Sequence, residues 1–181
     1  MKTLPKKIEL LANIAIIIVA ILLGVVLVDR YFLRPSPPKP NAPQAMQIKP
    51  GEKLSFPDAA WEKSGKTLLL VLSTTCRYCT ESAPFYQQLA RRKGSREDVR
   101  IMAVLPQSPD EARKYLGDHG ITVDQVRQAA LGAVHANATP TLIIVDKTGS
   151  VIESWVGKLP PEKEAEVFKH FLGEAPGASS D

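Results

Sequence analysis

The chain has 181 residues, of which 44% are hydrophobic and 23% are charged, and its net charge is +4. This length suits one globular domain and an additional segment, and the apolar fraction is sufficient for a buried core. Aromatic residues make up only 6% of the chain and no long run of lysine and arginine occurs, so neither composition nor charge supports nucleic-acid binding.

The N-terminal segment, residues 1–34, is predicted to be a transmembrane anchor. Residues 10–28 are apolar apart from Asn13, and about 20 such residues cross the hydrocarbon core as a helix. A cleaved signal peptide is the alternative, but the residues after Val28 do not form a small-x-small cleavage site. Lysines before the apolar run favour a cytoplasmic N-terminus. We therefore expect a single-pass protein of the inner (cytoplasmic) membrane whose catalytic domain is periplasmic or extracytoplasmic.

A proline-rich stretch follows the predicted anchor. Residues 35–50 contain six prolines, at 35, 37, 38, 40, 43 and 50. Proline lacks a backbone N–H and interrupts helices and central strands, so this stretch is predicted to be an extended, semi-rigid linker. Residues 51–173 are then the predicted globular domain.

The first predicted strand of the domain leads to the two cysteines of the chain. Residues 68–72 are a continuous apolar run, typical of a strand that is buried on both faces. Cys76 and Cys79 follow through a short loop, and a helix with Phe85 and Leu89 on its apolar side begins there. A Cys-x-x-Cys disulfide closes too short a loop to stabilise folding greatly. Its position between a strand and a helix favours redox chemistry.

The middle of the domain continues with alternating elements. Residues 101–105 are a second apolar run and predict a buried strand. Residues 108–111 form a capping box with proline at the first helical position, which predicts a helix that ends at Gly120. A helix-like segment is predicted between this helix and the next strand.

The last elements of the domain are a predicted hairpin and a helix. Residues 142–145 and 151–156 are strand-like and are separated by a turn sequence, so they predict an antiparallel hairpin. Residues 162–172 carry apolar side chains at helical spacing, and Gly173 ends that helix. The small, polar residues 174–181 are predicted to be a disordered tail.

The motif Cys76-Arg77-Tyr78-Cys79 is predicted to be a redox-active disulfide. Unpaired N–H groups at the start of a helix favour an anion, and Arg77 adds a positive charge. Both effects lower the pKa of the Cys76 thiol from its usual value of about 8.5. Cys79, one turn further along, should be less exposed. We expect Cys76 to form the mixed disulfide with a substrate and Cys79 to resolve it, with Arg77 and Tyr78 tuning the site or contacting substrate.

Zinc binding and an inert Cys-x-x-Cys pair are the alternatives at this motif. A structural zinc ion takes four ligands, usually cysteine or histidine. The histidines of the chain are His119, His135 and His170, and none forms an H-x-x-x-H pair with another. No metal is therefore predicted, and no cofactor other than the disulfide itself.

These features resemble the thioredoxin-like superfamily, and within it the membrane-anchored, extracytoplasmic TlpA/ResA-type group. The resemblance depends on the cysteine motif at a strand-to-helix turn, on Pro84 in the helix that follows, and on Thr139-Pro140 with the strand and turn sequence after it. It covers about residues 51–172. It implies an α/β fold, with a central mixed β-sheet flanked by helices, joined to an N-terminal transmembrane helix.

The resemblance also implies a substrate site. In this family a cis-proline loop lies beside the cysteines, and the residue before the proline offers its backbone to an extended substrate. Thr139 and Pro140 are therefore the expected substrate-binding residues. The sequence departs from the family pattern at Thr75, where tryptophan is usual, and at Ser82, where the group often has a glutamate; Glu81 lies one position earlier. The preceding strand also lacks a buried acid.

The resemblance implies dithiol–disulfide exchange with extracytoplasmic protein substrates, with reduction favoured and a membrane electron donor for re-reduction. A disulfide oxidase or isomerase is an alternative with the same motif. A peroxiredoxin-like peroxidase is another, although Ser73 stands where such enzymes need threonine. A third is a non-catalytic binding module that holds peptides in the proline-loop groove.

Overall fold

The computed structural model describes Ile14 and residues 16–24, 47–57 and 59–173. Residues 16–24 are helical, and the large apolar side chains among them are exposed. Within the described residues, no helix has both the length and the apolar character that a membrane span requires. The predicted anchor and linker lie largely outside the described residues, and the predicted tail lies wholly outside them.

The domain is built on a mixed sheet of five strands in the order β3-β2-β1-β4-β5. The strands are β1 (Lys66–Val71), β2 (Val99–Leu105), β3 (Gln125–Gln128), β4 (Thr141–Asp146) and β5 (Val151–Val156). β2 pairs in parallel with β1 and with β3, whereas β4 pairs antiparallel with β1 and with β5. The three predicted apolar strands and the predicted hairpin are confirmed.

The domain's described residues form four α-helices and two short 3₁₀ helices. The α-helices are α1 (Arg77–Glu81), α2 (Ala83–Lys93), α3 (Pro109–Asp118) and α4 (Pro161–Leu172), and the 3₁₀ helices are Trp61–Lys63 and Leu131–Val134. Ser108 caps α3 as predicted, since its hydroxyl accepts a hydrogen bond from the Glu111 N–H at 3.4 Å. Gly173 ends α4 in the left-handed conformation, with φ of 73°, which glycine adopts without a steric penalty.

The central strands are buried on both faces of the sheet. Successive side chains of a strand point to opposite faces, so Leu68, Leu70 and Leu72 pack against the α-helices while Leu69 and Val71 pack on the other side. That second face is covered by extended segments and by the two 3₁₀ helices rather than by α-helices. This double burial explains why the apolar runs show no alternation with polar residues.

The predicted helix-like segment before β4 is instead the edge strand β3 followed by a 3₁₀ helix. One side of β2 is left free by β1, and this segment pairs with that side as a strand instead of forming a helix. The Asp124 N–H donates to the Ile101 carbonyl at 2.9 Å, and the Ile101 N–H donates to the Asp124 carboxylate at 2.7 Å. Hydrogen bonds to a neighbouring strand thus override the local helical tendency.

Packed residues begin upstream of the predicted domain boundary at Gly51. Ile48, within the predicted linker, is 5% exposed and belongs to the core on the face away from the α-helices. Its carbonyl accepts a hydrogen bond from the buried Ser154 hydroxyl at 2.9 Å. Backbone hydrogen bonds of Gly51 and Glu52 with Val151, each 2.8 Å, also hold this segment against β5.

Gly149 in the β4–β5 turn is predicted to tolerate no side chain. Its φ is +77°, and a Cβ there would lie 2.7 Å from two ring atoms of Trp61. We expect Gly149→Ala to lower the free energy of unfolding by about 1–3 kcal/mol, measured by urea denaturation. Gly117→Ala in α3 is the control, because a Cβ there meets no atom within 4 Å and alanine stabilises a helix by about 0.5–1 kcal/mol. Equal effects of the two substitutions would contradict the prediction.

Candidate active site

Three loops meet at the end of the sheet where β1 finishes. In the parallel ladder, Val71 of β1 lies opposite Val104 of β2, and in the antiparallel ladder it lies opposite Thr141 of β4. The loops that leave β1 and β2 therefore lie beside the loop that enters β4. This arrangement brings the cysteine motif next to Thr139 and Pro140, as the resemblance implied.

Cys76 and Cys79 form a disulfide at the start of α1. Cys76 occupies the N-cap position, and its sulfur accepts a hydrogen bond from the Cys79 N–H at 3.1 Å. Such an N–H stabilises a sulfur anion, which favours a low thiol pKa at this position. Cys76 is half-buried, whereas Cys79 has 0% exposure and packs in the core beneath the helices. Cys76 is therefore the sulfur that an external disulfide reaches.

The Thr139–Pro140 peptide bond is cis. The Thr139 carbonyl oxygen lies 3.4 Å from the Cys76 sulfur although 63 positions separate these residues in the chain. On its other side, the loop is held by the Gly157 N–H, which donates to the Pro140 carbonyl at 2.7 Å. The backbone of Thr139 thus lies directly against the more accessible cysteine.

Gln107, in the loop after β2, holds the loop that precedes Cys76. Its side-chain oxygen accepts from the Thr74 N–H at 3.4 Å, and its side-chain nitrogen donates to the Ser73 hydroxyl at 3.1 Å. The Thr74 hydroxyl in turn donates to Glu111 at 3.0 Å. The sequence predicted Glu111 only as part of the capping box of α3, and no role was predicted for Gln107. They could have been predicted from the strand order, because polar residues that follow adjacent parallel strands lie at the same end of the sheet.

Three charged side chains form a surface network beside the disulfide. Glu81 accepts from Arg77 at 2.7 Å and from Lys158 at 2.9 Å. Lys158 foremost, and then Arg77, hold the pKa of the Glu81 carboxyl below its usual range. Glu81 therefore offsets the positive charge that Arg77 was expected to present to Cys76. Tyr78, between the cysteines, is 58% exposed and available for contact.

Among the residues that the structure describes, no group of three or more His, Cys, Asp or Glu side chains is arranged to hold a metal ion. His119 contacts the Tyr115 carbonyl at 2.9 Å, and His135 contacts Glu52 at 2.5 Å. The redox-active group of the site is the disulfide itself.

A family model described as Redoxin matches residues 49–170. No curated protein is significantly similar to the chain in sequence. Many solved structures share the fold. One, assigned as the thiol:disulfide interchange protein DsbE from Chlorobium tepidum, is 16% identical, with a TM-score of 0.56 over 70% of this chain and 97% of that chain.

Two further structures illustrate the same likeness. A thiol-disulfide isomerase from Corynebacterium glutamicum is 16% identical, with a TM-score of 0.52 over 75% of this chain and 99% of that one. A DsbF homologue from Corynebacterium diphtheriae is 18% identical, with a TM-score of 0.50 over 70% and 85%. At such identities the likeness establishes the thioredoxin-like α/β fold.

The difference in exposure between the two cysteines predicts selective labelling of the reduced protein. We expect iodoacetamide to modify Cys76 at least about tenfold faster than Cys79, because only Cys76 combines accessibility with a stabilised thiolate. Peptide mass spectrometry after a brief pulse measures the ratio. Denatured protein is the control, in which both cysteines should react at similar rates. Equal labelling of the native protein would contradict the prediction.

Proposed function

The chain belongs to the Redoxin family and is a thiol–disulfide oxidoreductase. We propose that it is anchored in the membrane and reduces disulfide bonds of extracytoplasmic proteins. The observation that carries the proposal is the Cys76–Cys79 disulfide, with its accessible sulfur against the Thr139 backbone.

The exchange begins from the reduced dithiol. The Cys76 thiolate, stabilised by the Cys79 N–H, attacks a substrate disulfide; a mixed disulfide forms and one substrate thiolate leaves, taking a proton from water. Cys79 then loses its proton and attacks the Cys76 sulfur. The second substrate thiol is released and the Cys76–Cys79 disulfide forms. Two electrons pass from the protein to the substrate, and the reverse sequence oxidises a dithiol.

The Thr139–Pro140 loop is the proposed substrate-binding element. The carbonyl of Thr139 faces the region where a mixed disulfide forms on Cys76. An extended substrate segment that paired with this backbone would present its own cysteine to the reactive sulfur, as in strand addition to a sheet edge. The exposed Tyr78 ring offers an apolar contact next to it.

The proposed location is the outer face of the inner membrane. Residues 10–28 supply an apolar run of suitable length, and the apolar side chains of helical residues 16–24 are exposed. The preceding lysines favour a cytoplasmic N-terminus. After each turnover the disulfide needs two electrons from outside the domain, so the proposal includes a membrane electron donor as partner.

The direction of exchange is the part of the proposal that depends most on family resemblance. Interchange proteins and isomerases both occur among proteins with this fold. Arg77 and Lys158 both pair with Glu81, so two cations and one carboxylate leave the network beside the disulfide positively charged. The reductive direction is therefore proposed from the family resemblance.

Variants of the two cysteines test the exchange reaction. We expect Cys76→Ser to abolish reduction of a model protein disulfide and Cys79→Ala to accumulate mixed disulfides on Cys76. Non-reducing electrophoresis and mass spectrometry of trapped species measure this. The double variant is the matched control and should capture nothing. If Cys76→Ser binds substrates and functions like the wild type, the protein is a binding module and the proposal fails.

The reduction potential of the Cys76–Cys79 pair tests the direction. We expect a value near that of thioredoxin, about −270 mV, or lower. The measurement equilibrates the protein with defined thiol buffers, alkylates the free thiols and quantifies them by mass spectrometry. A value near −120 mV, typical of a strong disulfide oxidant, would replace the reductive direction with an oxidative one.

A further inference from the structure

Two hydroxyl groups that follow Cys79 on the helices are buried without hydrogen-bond partners outside the pair. Ser82 is 6% exposed and Tyr86 is 1% exposed, and no third described residue hydrogen-bonds to either side-chain oxygen. Buried polar groups in folded proteins are almost always hydrogen-bonded, because an unpaired one forfeits its hydration. Two such groups together therefore call for an explanation.

Both hydroxyls lie on the helical face that carries Cys79. Ser82 joins α1 to α2 in helical conformation, and helical hydrogen bonds run from its N–H to Tyr78 and from the Tyr86 N–H to Ser82. Cys79, Ser82 and Tyr86 are thus spaced as neighbours on one side of a helix. Side chains in helices lean toward the N-terminus, so Tyr86 leans over Ser82, and Ser82 leans toward Cys79.

Ser82 and Tyr86 lie one helical turn apart, which sets their hydroxyls near each other. Burial raises the pKa of the Tyr86 phenol, and hydrogen bonding to the Ser82 hydroxyl opposes that shift. The other titratable groups that act on Tyr86 are Tyr115 of α3 and Glu164 of α4, and both raise its pKa further. Neither Tyr115 nor Glu164 brings a positive charge to this region.

Cys79 requires a hydrogen-bond donor only after reduction. In the disulfide its sulfur is uncharged, so no donor is needed. In the second exchange step Cys79 must become a thiolate at a position with 0% exposure. An uncompensated buried anion is costly and raises the thiol pKa. A hydroxyl whose hydrogen is not donated in the oxidised protein could stabilise the Cys79 thiolate in this step.

We propose that Ser82 and Tyr86 form a hydrogen-bonding pair that serves the Cys79 thiolate, in which the Ser82 hydroxyl donates to the sulfur and the Tyr86 hydroxyl donates to Ser82. Both are positioning residues of the second exchange step. The inference depends on the proposed function, because that step exists only if the protein exchanges disulfides.

The step balances without an added reagent. Cys79 releases its proton to water, and its thiolate attacks the Cys76 sulfur of the mixed disulfide. The Cys76–Cys79 bond forms, the bond from Cys76 to the substrate breaks, and the departing substrate thiolate takes a proton from water. The substrate disulfide is the oxidant, and the Ser82 and Tyr86 hydroxyls keep their protons.

The pKa of the Cys79 thiol is the direct test. In a full-length Cys76→Ser background Cys79 is the sole thiol, and the ultraviolet absorbance of its thiolate reports the pKa. We expect Ser82→Ala to raise this pKa by about one unit or more, as loss of a hydrogen bond to a charged group requires. Tyr86→Phe should raise it by a smaller amount. Ser82→Thr, which keeps the hydroxyl, should restore most of the effect.

Controls remove hydroxyls from Thr80 of α1 and Tyr115 of α3, which do not hydrogen-bond to the Ser82 or Tyr86 hydroxyls. Thr80 and Tyr115 hydrogen-bond to each other at 3.3 Å. Thr80→Ala is the control for Ser82→Ala, and Tyr115→Phe is the control for Tyr86→Phe. We expect both controls to leave the Cys79 pKa unchanged.

The rate of the second step gives an independent measurement in protein with both cysteines. Well below the Cys79 pKa, a tenfold smaller thiolate population combined with a more nucleophilic thiolate makes Ser82→Ala about threefold slower. Above both pKa values the order should reverse, with Ser82→Ala about threefold faster because its thiolate is more nucleophilic. The alkylation rate of Cys76 should not change.

The inference is overturned if Ser82→Ala and Tyr86→Phe leave the Cys79 pKa where the two controls leave it. Wild-type exchange activity would then still support the proposed function. Absence of exchange in the wild type would instead overturn the proposed function. If Ser82→Ala does not fold, Tyr86→Phe and Ser82→Thr still decide the matter.

Discussion

The antiparallel ladder between β1 and β4 is the constraint on which the site depends. It sets Thr141 opposite Val71, and so places the loop before β4 against the loop after β1. Because both strands are closely packed on both faces, a shift of one residue would exchange the side chains of the two faces and disrupt the packing of both. The same core that stabilises the fold therefore fixes the Thr139 carbonyl beside the Cys76 sulfur.

The second determinant is the unequal environment of the two sulfurs. Cys76 caps a helix and accepts a backbone N–H, whereas Cys79 faces the core. One position favours a reactive anion that a partner can reach, and the other makes an anion costly. In the proposed reaction this difference makes Cys76 attack the substrate first and Cys79 attack Cys76 second. The proposed role of Ser82 and Tyr86 concerns the buried sulfur, whereas the charged network around Glu81 lies at the surface.

The loops around the disulfide are tied together by polar side chains from different parts of the chain. Gln107 and Glu111 hold the loop before Cys76, and Lys158 connects the segment after β5 to Glu81 on α1. These contacts join the loops on both sides of the cysteine motif. Tyr78 lies between these loops and remains exposed. A substrate would therefore meet an exposed ring that is flanked by hydrogen-bonded loops.

Features that depend on local spacing could be predicted from the amino-acid sequence alone. These are the apolar runs of the central strands, the cap of α3, the end of α4 and the position of the cysteines at a strand-to-helix turn. Family resemblance added the role expected of Thr139. Other features depend on the three-dimensional arrangement. The segment after Gly120 forms strand β3, Ile48 belongs to the core, and Glu81 binds both Arg77 and Lys158. The buried Ser82 and Tyr86 hydroxyls have no described partner outside the pair. Each of these depends on partners distant in sequence, whose approach is set by sheet order and register rather than by local propensity.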